Sequence, residues 1–345
     1  MNKVLFLDTE HKRFSSRFFD ELSLKVGQMD IINMKMPPFH LNYGPTFFSK
    51  ITRVWFPFFL FAIKGFIKGL RYDIVISWSG VVGLFIGFFK LIFFRNRPKL
   101  FVTTFIFRPR ESRIVNILRF WFYKTCVKKM DGIICHSSDE ANYYKTLFHL
   151  NDDKIKFVPY GIELPKVNFQ NNGEEPYIAS AGKSNRDYEL LKKVIDGIEP
   201  KIRIYCSRDY EVLSKDEKKS NLEVRIDTPL KEFLEGLYNS IFVVIPLKLP
   251  EFSSGQLVLL QAMALGKTVI ASDCWGTRDY IKDMENGMLV APGDTSEMRK
   301  KILYLTRNPE EIERMGRNAK KSVEEYFNIC SFASTIGNYI SEGKR

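Results

Sequence analysis

The chain has 345 residues, 45% of them hydrophobic, and a formal net charge of +12. That length and core content exclude a disordered or fibrous chain and suffice for two domains. Five scattered cysteines without a C-x-x-C pair, and four histidines in all, exclude a disulfide framework and a structural zinc site.

The opening residues, Met1 to Asp8, form a short apolar run ending in an acid, too brief for a secretory signal. They read as a first strand in a protein of the cytoplasm. Further strand-length apolar runs follow at 29–34, 74–77, 100–104, 132–135 and 155–158, after the first at 4–7. A second set lies at 177–181, 202–206, 222–225, 241–245, 268–272 and 287–291. Helical patterns separate most of these runs, and such alternation predicts an α/β protein with doubly wound parallel sheets. Two apolar stretches could be mistaken for membrane spans. The stretch 54–67 is short and holds Pro57 and Lys64, whereas 74–94 parses as a strand, a Ser79-Gly80 turn and a helix stopped by Arg95-Asn96-Arg97-Pro98.

Pro165 and the Asn171-Asn172-Gly173 turn fall between the two sets of strands. The expected organisation is a first domain over 1–165, a second over 166–325 and a terminal segment over 326–345. A last helix, from 319 through 327 and onward to 340, is expected to return to the first domain.

Charge is divided unequally between the halves. Residues 1–165 hold 25 Lys and Arg against 13 Asp and Glu, while 166–345 hold 27 of each. The first half also carries 24 of the 30 phenylalanines, and between Lys50 and Lys129 there are 16 basic residues against two acids. Basic and aromatic surface together suit an anionic membrane face. A solvated basic face is the plainer alternative. Nucleic acid would also attract the cations, but no recognition motif accompanies them, so no nucleic-acid partner is expected.

Residues 250–273 carry the most legible chemistry. A helical period through Leu257, Leu260, Gln261 and Ala264 follows the polar loop Glu251-Phe252-Ser253-Ser254-Gly255-Gln256, and Gly266 and a strand come after it. Ser253 or Ser254 is expected to cap that helix, whose free amides would attract an anion.

This order of elements resembles the retaining glycosyltransferases of family 4, also called group 1. The resemblance runs through Asp131 to Ser138, Ile155 to Glu163, Tyr177 to Arg186, Leu257 to Ser272 and Gly276 to Asp294, the last with Asn286-Gly287 and Pro292-Gly293-Asp294. It implies the GT-B fold of two facing Rossmann-like domains, the second binding a nucleotide-sugar donor, UDP- or GDP-linked. It further implies that Gly182, Lys183 and Arg186 face the donor diphosphate, because fixed positive charge stabilises a nucleoside diphosphate leaving group. The family's two glutamates, eight positions apart, align with Ser253 and Gln261, so both acids are missing. Gln261 can still hydrogen-bond a ribose hydroxyl, and Ser253, Ser254 and the amides of Gly255 and Gln256 can still hold sugar hydroxyls or phosphate. Glu251 is a candidate replacement acid.

The acceptor half also departs from the family pattern. Thr103 to Arg108 contains no matching histidine, His136 is a candidate lining or structural residue, and Asp8-Thr9-Glu10-His11-Lys12-Arg13 replaces the usual glycine-rich loop. Asp8 and Glu10 superficially match a metal-holding carboxylate pair, at one spacing only; the resemblance implies that basic residues and helix dipoles neutralise the leaving group instead, so no metal or cofactor is expected. No catalytic residue is assigned. The expected acceptor is a lipid-linked saccharide or oligosaccharide at the inner face of the cell membrane, in surface polysaccharide or glycan synthesis. The alternative is a non-catalytic GT-B-like scaffold in a membrane-associated complex.

Overall fold

Six parallel strands form the first sheet in the computed structural model, which describes residues 2–9, 14–34, 55–107, 112–165, 169–170, 173, 175–208, 210, 221–251 and 253–342. They are β1 (Lys3–Asp8), β2 (Gln28–Asn33), β3 (Ile74–Ser79), β4 (Lys99–Thr104), β5 (Gly132–Cys135) and β6 (Ile155–Phe157), in the order β2-β1-β3-β4-β5-β6. Between them run α1 (Ser16–Val26), α2 (Phe56–Gly69), α3 (Gly80–Ile92), α4 (Arg113–Val127) and α5 (Ser138–Phe148). The apolar stretch 74–94 is therefore strand then helix. No helix among the described residues is long and apolar enough to cross a membrane.

Helices α2, α3 and α4 lie side by side and close a core with Leu5, Leu7, Val75, Leu100, Val102 and Ile133 of the sheet. Close approach explains the glycines in α3. A Cβ on Gly83 would press into the Val102 side chain, and one on Gly87 would meet the Cys126 carbonyl of α4.

The second sheet contains β7 (Ile178–Ala181), β8 (Ile202–Cys206), β9 (Leu222–Ile226), β10 (Val243–Ile245), β11 (Val269–Ser272) and β12 (Met288–Val290), in the order β12-β11-β10-β7-β8-β9. Every pairing is parallel. Its helices are α6 (Tyr188–Val194), α7 (Leu230–Asn239), α8 (Gln256–Ala264), α9 (Thr295–Arg307) and α10 (Pro309–Glu325). One face buries Ala179, Val243 and Ala271 against α8 and α10, and the other buries Ile178, Val244 and Ile270 against α6 and α9. Burial on both faces is why central strands such as β10 and β11 read as apolar runs rather than alternating ones.

The backbone divides into two compact units, 1–158 with 333–345, and 159–332. The expected single helix across 319–340 is instead two, α10 and α11 (Ile329–Glu342). The break has a local cause. The Phe327 carbonyl accepts the Ile162 amide at 2.9 Å, and Asn328 Oδ1 accepts the Ser331 amide at 2.9 Å to start a new helix. Further along α11, the Tyr339 hydroxyl donates to the Asp153 carbonyl at 2.9 Å and Ser341 Oγ to the Lys25 carbonyl at 2.8 Å, both in the first unit.

Candidate functional site

The carboxyl ends of β7, β10 and β11, the central strands of the second sheet, are joined by three interlocked loops. In a parallel α/β sheet this is the edge where ligands bind.

The loop after β7 begins at Gly182, whose φ of +119° suits only glycine. A Cβ there would overlap the Arg186 guanidinium. Arg186 lies beneath the loop, 3% exposed, donating from Nε to the Ala181 carbonyl at 2.6 Å and from Nη1 to the Ser184 carbonyl at 2.8 Å. The Tyr188 hydroxyl donates to the Gly182 carbonyl at 2.7 Å and completes the turn. Arg186 has no carboxylate partner among the described residues, and burial lowers its pKa from the ordinary value. Lys183 is exposed and without a partner among the described residues. The two cations of this segment thus occupy different places, Lys183 toward solvent and Arg186 under the backbone.

Asn185 ties this loop to the one before α8. At φ +59° it adopts a left-handed conformation that asparagine tolerates. Its Nδ2 donates to the Leu249 carbonyl at 3.1 Å and to Ser254 Oγ at 3.2 Å, while Oδ1 accepts the Leu249 amide at 3.1 Å. The segment 182–187 is thereby brought against 249–254.

The expected serine cap of α8 is not what forms. Gly255 is the N-cap, at φ +97° and with no side-chain cap, because both hydroxyls are engaged elsewhere. Ser254 Oγ accepts from Asn185, and Ser253 Oγ accepts from Gln256 Nε2. The Leu259 amide bonds the Gly255 carbonyl at 3.0 Å, so the amides of Gln256, Leu257 and Val258 precede the first helical bond. That end of α8 is a positive pole. Gln261 is half-buried in the middle of α8 and Glu251 is exposed on the loop. No hydrogen bond or ion pair among the described residues joins either of them to Lys183 or Arg186.

The third loop follows β11. A Cβ on Gly276 would overlap the Ser254 backbone, and the Trp275 amide donates to the Pro250 carbonyl at 3.0 Å. Buried Thr277 donates from Oγ1 to the Ser272 carbonyl at 2.6 Å and accepts the Cys274 amide at 3.0 Å. Asn185 and Thr277 are not among the residues that the sequence singles out, and Gly276 enters there only as the start of the 276–294 segment. Asparagine in a polar turn three residues after a glycine was the available clue for Asn185. Gly276 and Thr277 depend on contacts across the fold that no local pattern announces.

In the first unit, His136 is buried, with Nδ1 3.0 Å from the Val158 carbonyl and its ring stacked on Trp78 at 5.9 Å. A carbonyl can only accept, so Nδ1 carries the proton. Asp8 is buried at the end of β1. Residues 10–13 and the Asn171-Asn172 pair lie outside the described residues.

Two family models match this chain, glycosyltransferase family 4 over residues 30–166 and glycosyl transferases group 1 over residues 232–322. An uncharacterized glycosyltransferase of Methanocaldococcus jannaschii, MJ1069, is 26% identical over 247 residues, covering 63% of this chain and 61% of that relative. The chain spans less than two thirds of the curated relatives it matches. Sucrose-phosphate synthase from Thermosynechococcus elongatus superimposes with a TM-score of 0.73 at 17% identity, covering 99% of each chain. Anabaena HepE in complex with UDP-glucose superimposes with a TM-score of 0.70 at 13% identity, covering 99% of this chain and 100% of that one. The fold is α/β of the GT-B kind. The chain belongs to the group 1 glycosyltransferases of family 4.

Proposed function

We propose that this protein is a retaining glycosyltransferase that moves a sugar from a UDP- or GDP-linked donor to a lipid-linked saccharide, in surface polysaccharide or glycan synthesis. The observation that carries the donor half is a buried arginine with no carboxylate, beside an exposed lysine and the open amino end of α8. Such an excess of positive charge fits a diphosphate, whose departure it would stabilise. A fold neighbour crystallised with UDP-glucose supports trying UDP first. Ser253 and Gln261 supply hydroxyl and amide in place of two carboxylates, which retains hydrogen bonding to sugar and ribose while removing negative charge near the diphosphate.

The acceptor half rests on the basic, phenylalanine-rich character of residues 1–165. It suits a peripheral position on the anionic inner face of the cell membrane, where a lipid-linked saccharide would be met.

The deciding experiment is a melting titration with UDP, GDP, ADP and their sugars, repeated on Lys183→Ala. A nucleotide at a hundredfold its dissociation constant stabilises its binder by about 2.7 kcal/mol. We expect one nucleotide to raise Tm, and Lys183→Ala to weaken its binding by about tenfold or more through loss of a charge-assisted contact. Because Lys183 is exposed, the ligand-free Tm should not move. The absence of both family glutamates favours the second reading, a non-catalytic GT-B-like scaffold, and no response to any nucleotide would make it the better one.

A further inference from the structure

Helix α4 is apolar on the side that it turns to water. Its core side is Tyr123, Cys126 and Val127. Opposite them, Ile114, Leu118 and Trp121 are 72%, 67% and 60% exposed, and Ile117 is 49% exposed. These four fall at i, i+3, i+4 and i+7, one stripe about 10 Å long. A surface helix ordinarily places charged or polar residues there, and a contiguous patch of large apolar side chains marks an interaction site.

Charge takes over where the stripe ends. Lys124 Nζ lies 5.6 Å from the Trp121 ring and 5.5 Å from the Phe120 ring, and exposed Lys128 continues the stripe one turn on. From Arg113 to Met130 there are five basic residues and no acid. Lys129 Nζ reaches Asn96 Oδ1 at 3.3 Å, which places the α3–β4 turn beside the end of α4. That turn carries Phe94, 89% exposed, and Arg95 and Arg97.

We propose that the outer face of α4 is a bilayer-docking surface, with Ile114, Leu118 and Trp121 entering the headgroup–acyl boundary of an anionic membrane. The inference rests on the membrane reading above and assigns a surface to it. Lys124 and Lys128 extend their apolar stems along the helix and hold their ammonium groups at the level of the lipid phosphates. The charge pattern selects lipid over the other occupants. Nucleic acid would satisfy the cations and leave the Ile, Leu and Trp side chains in water. A second copy docked symmetrically would set the five cations of one chain against those of the other.

The test is co-sedimentation of the full chain with vesicles of phosphatidylcholine mixed with phosphatidylglycerol, compared with phosphatidylcholine alone. Binding should need the anionic lipid and fall as salt screens it. Ile114→Ser/Leu118→Ser/Trp121→Ser should weaken partitioning by about tenfold or more, with the nucleotide response and far-UV spectrum unchanged. Lys124→Glu/Lys128→Glu, a milder change at surface positions, should weaken it as well. Trp121→Phe should sediment with brominated vesicles yet lose fluorescence quenching. Wild-type sedimentation by the triple variant would overturn α4 as the surface and leave the membrane reading standing. No sedimentation of the wild type with any vesicle would remove both. A dimer in sedimentation velocity, abolished by the triple variant, would give the face to a second copy instead.

Discussion

Each unit buries a cation, and the two are treated differently. Lys90 in α3 of the first unit is 1% exposed. Its Nζ donates to Asp131 Oδ2 at 3.0 Å and to the Pro98 carbonyl at 2.7 Å, and the same carboxylate oxygen accepts the Leu100 amide at 2.8 Å. Burial lowers the lysine's pKa while Asp131 pulls it back up. Arg186 in the second unit has two backbone carbonyls and no carboxylate among the described residues. A buried charge is costly unless it is compensated. Lys90 is compensated from within and belongs to the architecture. Arg186, in the same loop as Lys183, leaves positive charge in excess, and the proposed donor site rests on that surplus.

The contrast can be broken from either side. Asp131→Ala should have the larger effect on stability, about 3–5 kcal/mol in urea unfolding, because it strands a buried ammonium. It should leave nucleotide affinity unchanged. Arg186→Ala should cost about 2–3 kcal/mol, since charged hydrogen bonds to the Ala181 and Ser184 carbonyls disappear, and it should abolish the nucleotide-induced rise in Tm. If Arg186→Ala still responds to nucleotide, the surplus charge serves the loop alone. If Asp131→Ala loses the response, the two cations are not functionally separate.

The twelve strands among the described residues were legible, most of them because a parallel sheet covered on both faces needs apolar runs such as Val243 to Ile245, and such runs announce themselves locally. The helix break at 326–328 was not, since it depends on the Phe327 carbonyl being taken by Ile162, more than a hundred and fifty positions away in sequence. The same holds within the candidate site. The polar loop with Gly255 stood out by composition and Gly182 through the resemblance, whereas the cap expected of Ser253 or Ser254 does not form and Ser254 is instead the acceptor for Asn185 from another loop. A hydroxyl's partner is decided by tertiary geometry, and serine can take any of several. The exposed stripe on α4 was hidden for a related reason. Its isoleucine, leucine and tryptophan resemble core residues until the buried side of the helix is seen to be filled by Tyr123, Cys126 and Val127.

A partly buried cation sharpens the rule with the smallest expected effect. Lys267, just before β11, donates to the Ser240 carbonyl at 2.7 Å and lies 5.4 Å from the Tyr238 ring, with no carboxylate partner among the described residues. Burial lowers its pKa to about 8. An unfolded lysine titrates near about 10.4, so between those values the unfolded chain holds a proton that the folded chain has released. Stability from this group therefore rises with pH across that window, and below about 8 the full cost of burying the charged form is felt. Replacing Lys267 by Met removes the dependence together with the Ser240 hydrogen bond. Relative to Lys267→Met, wild type should gain about 1–3 kcal/mol between roughly pH 7 and roughly pH 10, read from paired urea melts. A difference that stays flat with pH would mean that the amine remains solvated in the folded protein. Lys267 could then no longer stand with Arg186 as a cation lacking internal compensation, and the surplus at the β7 loop would be peculiar to that loop.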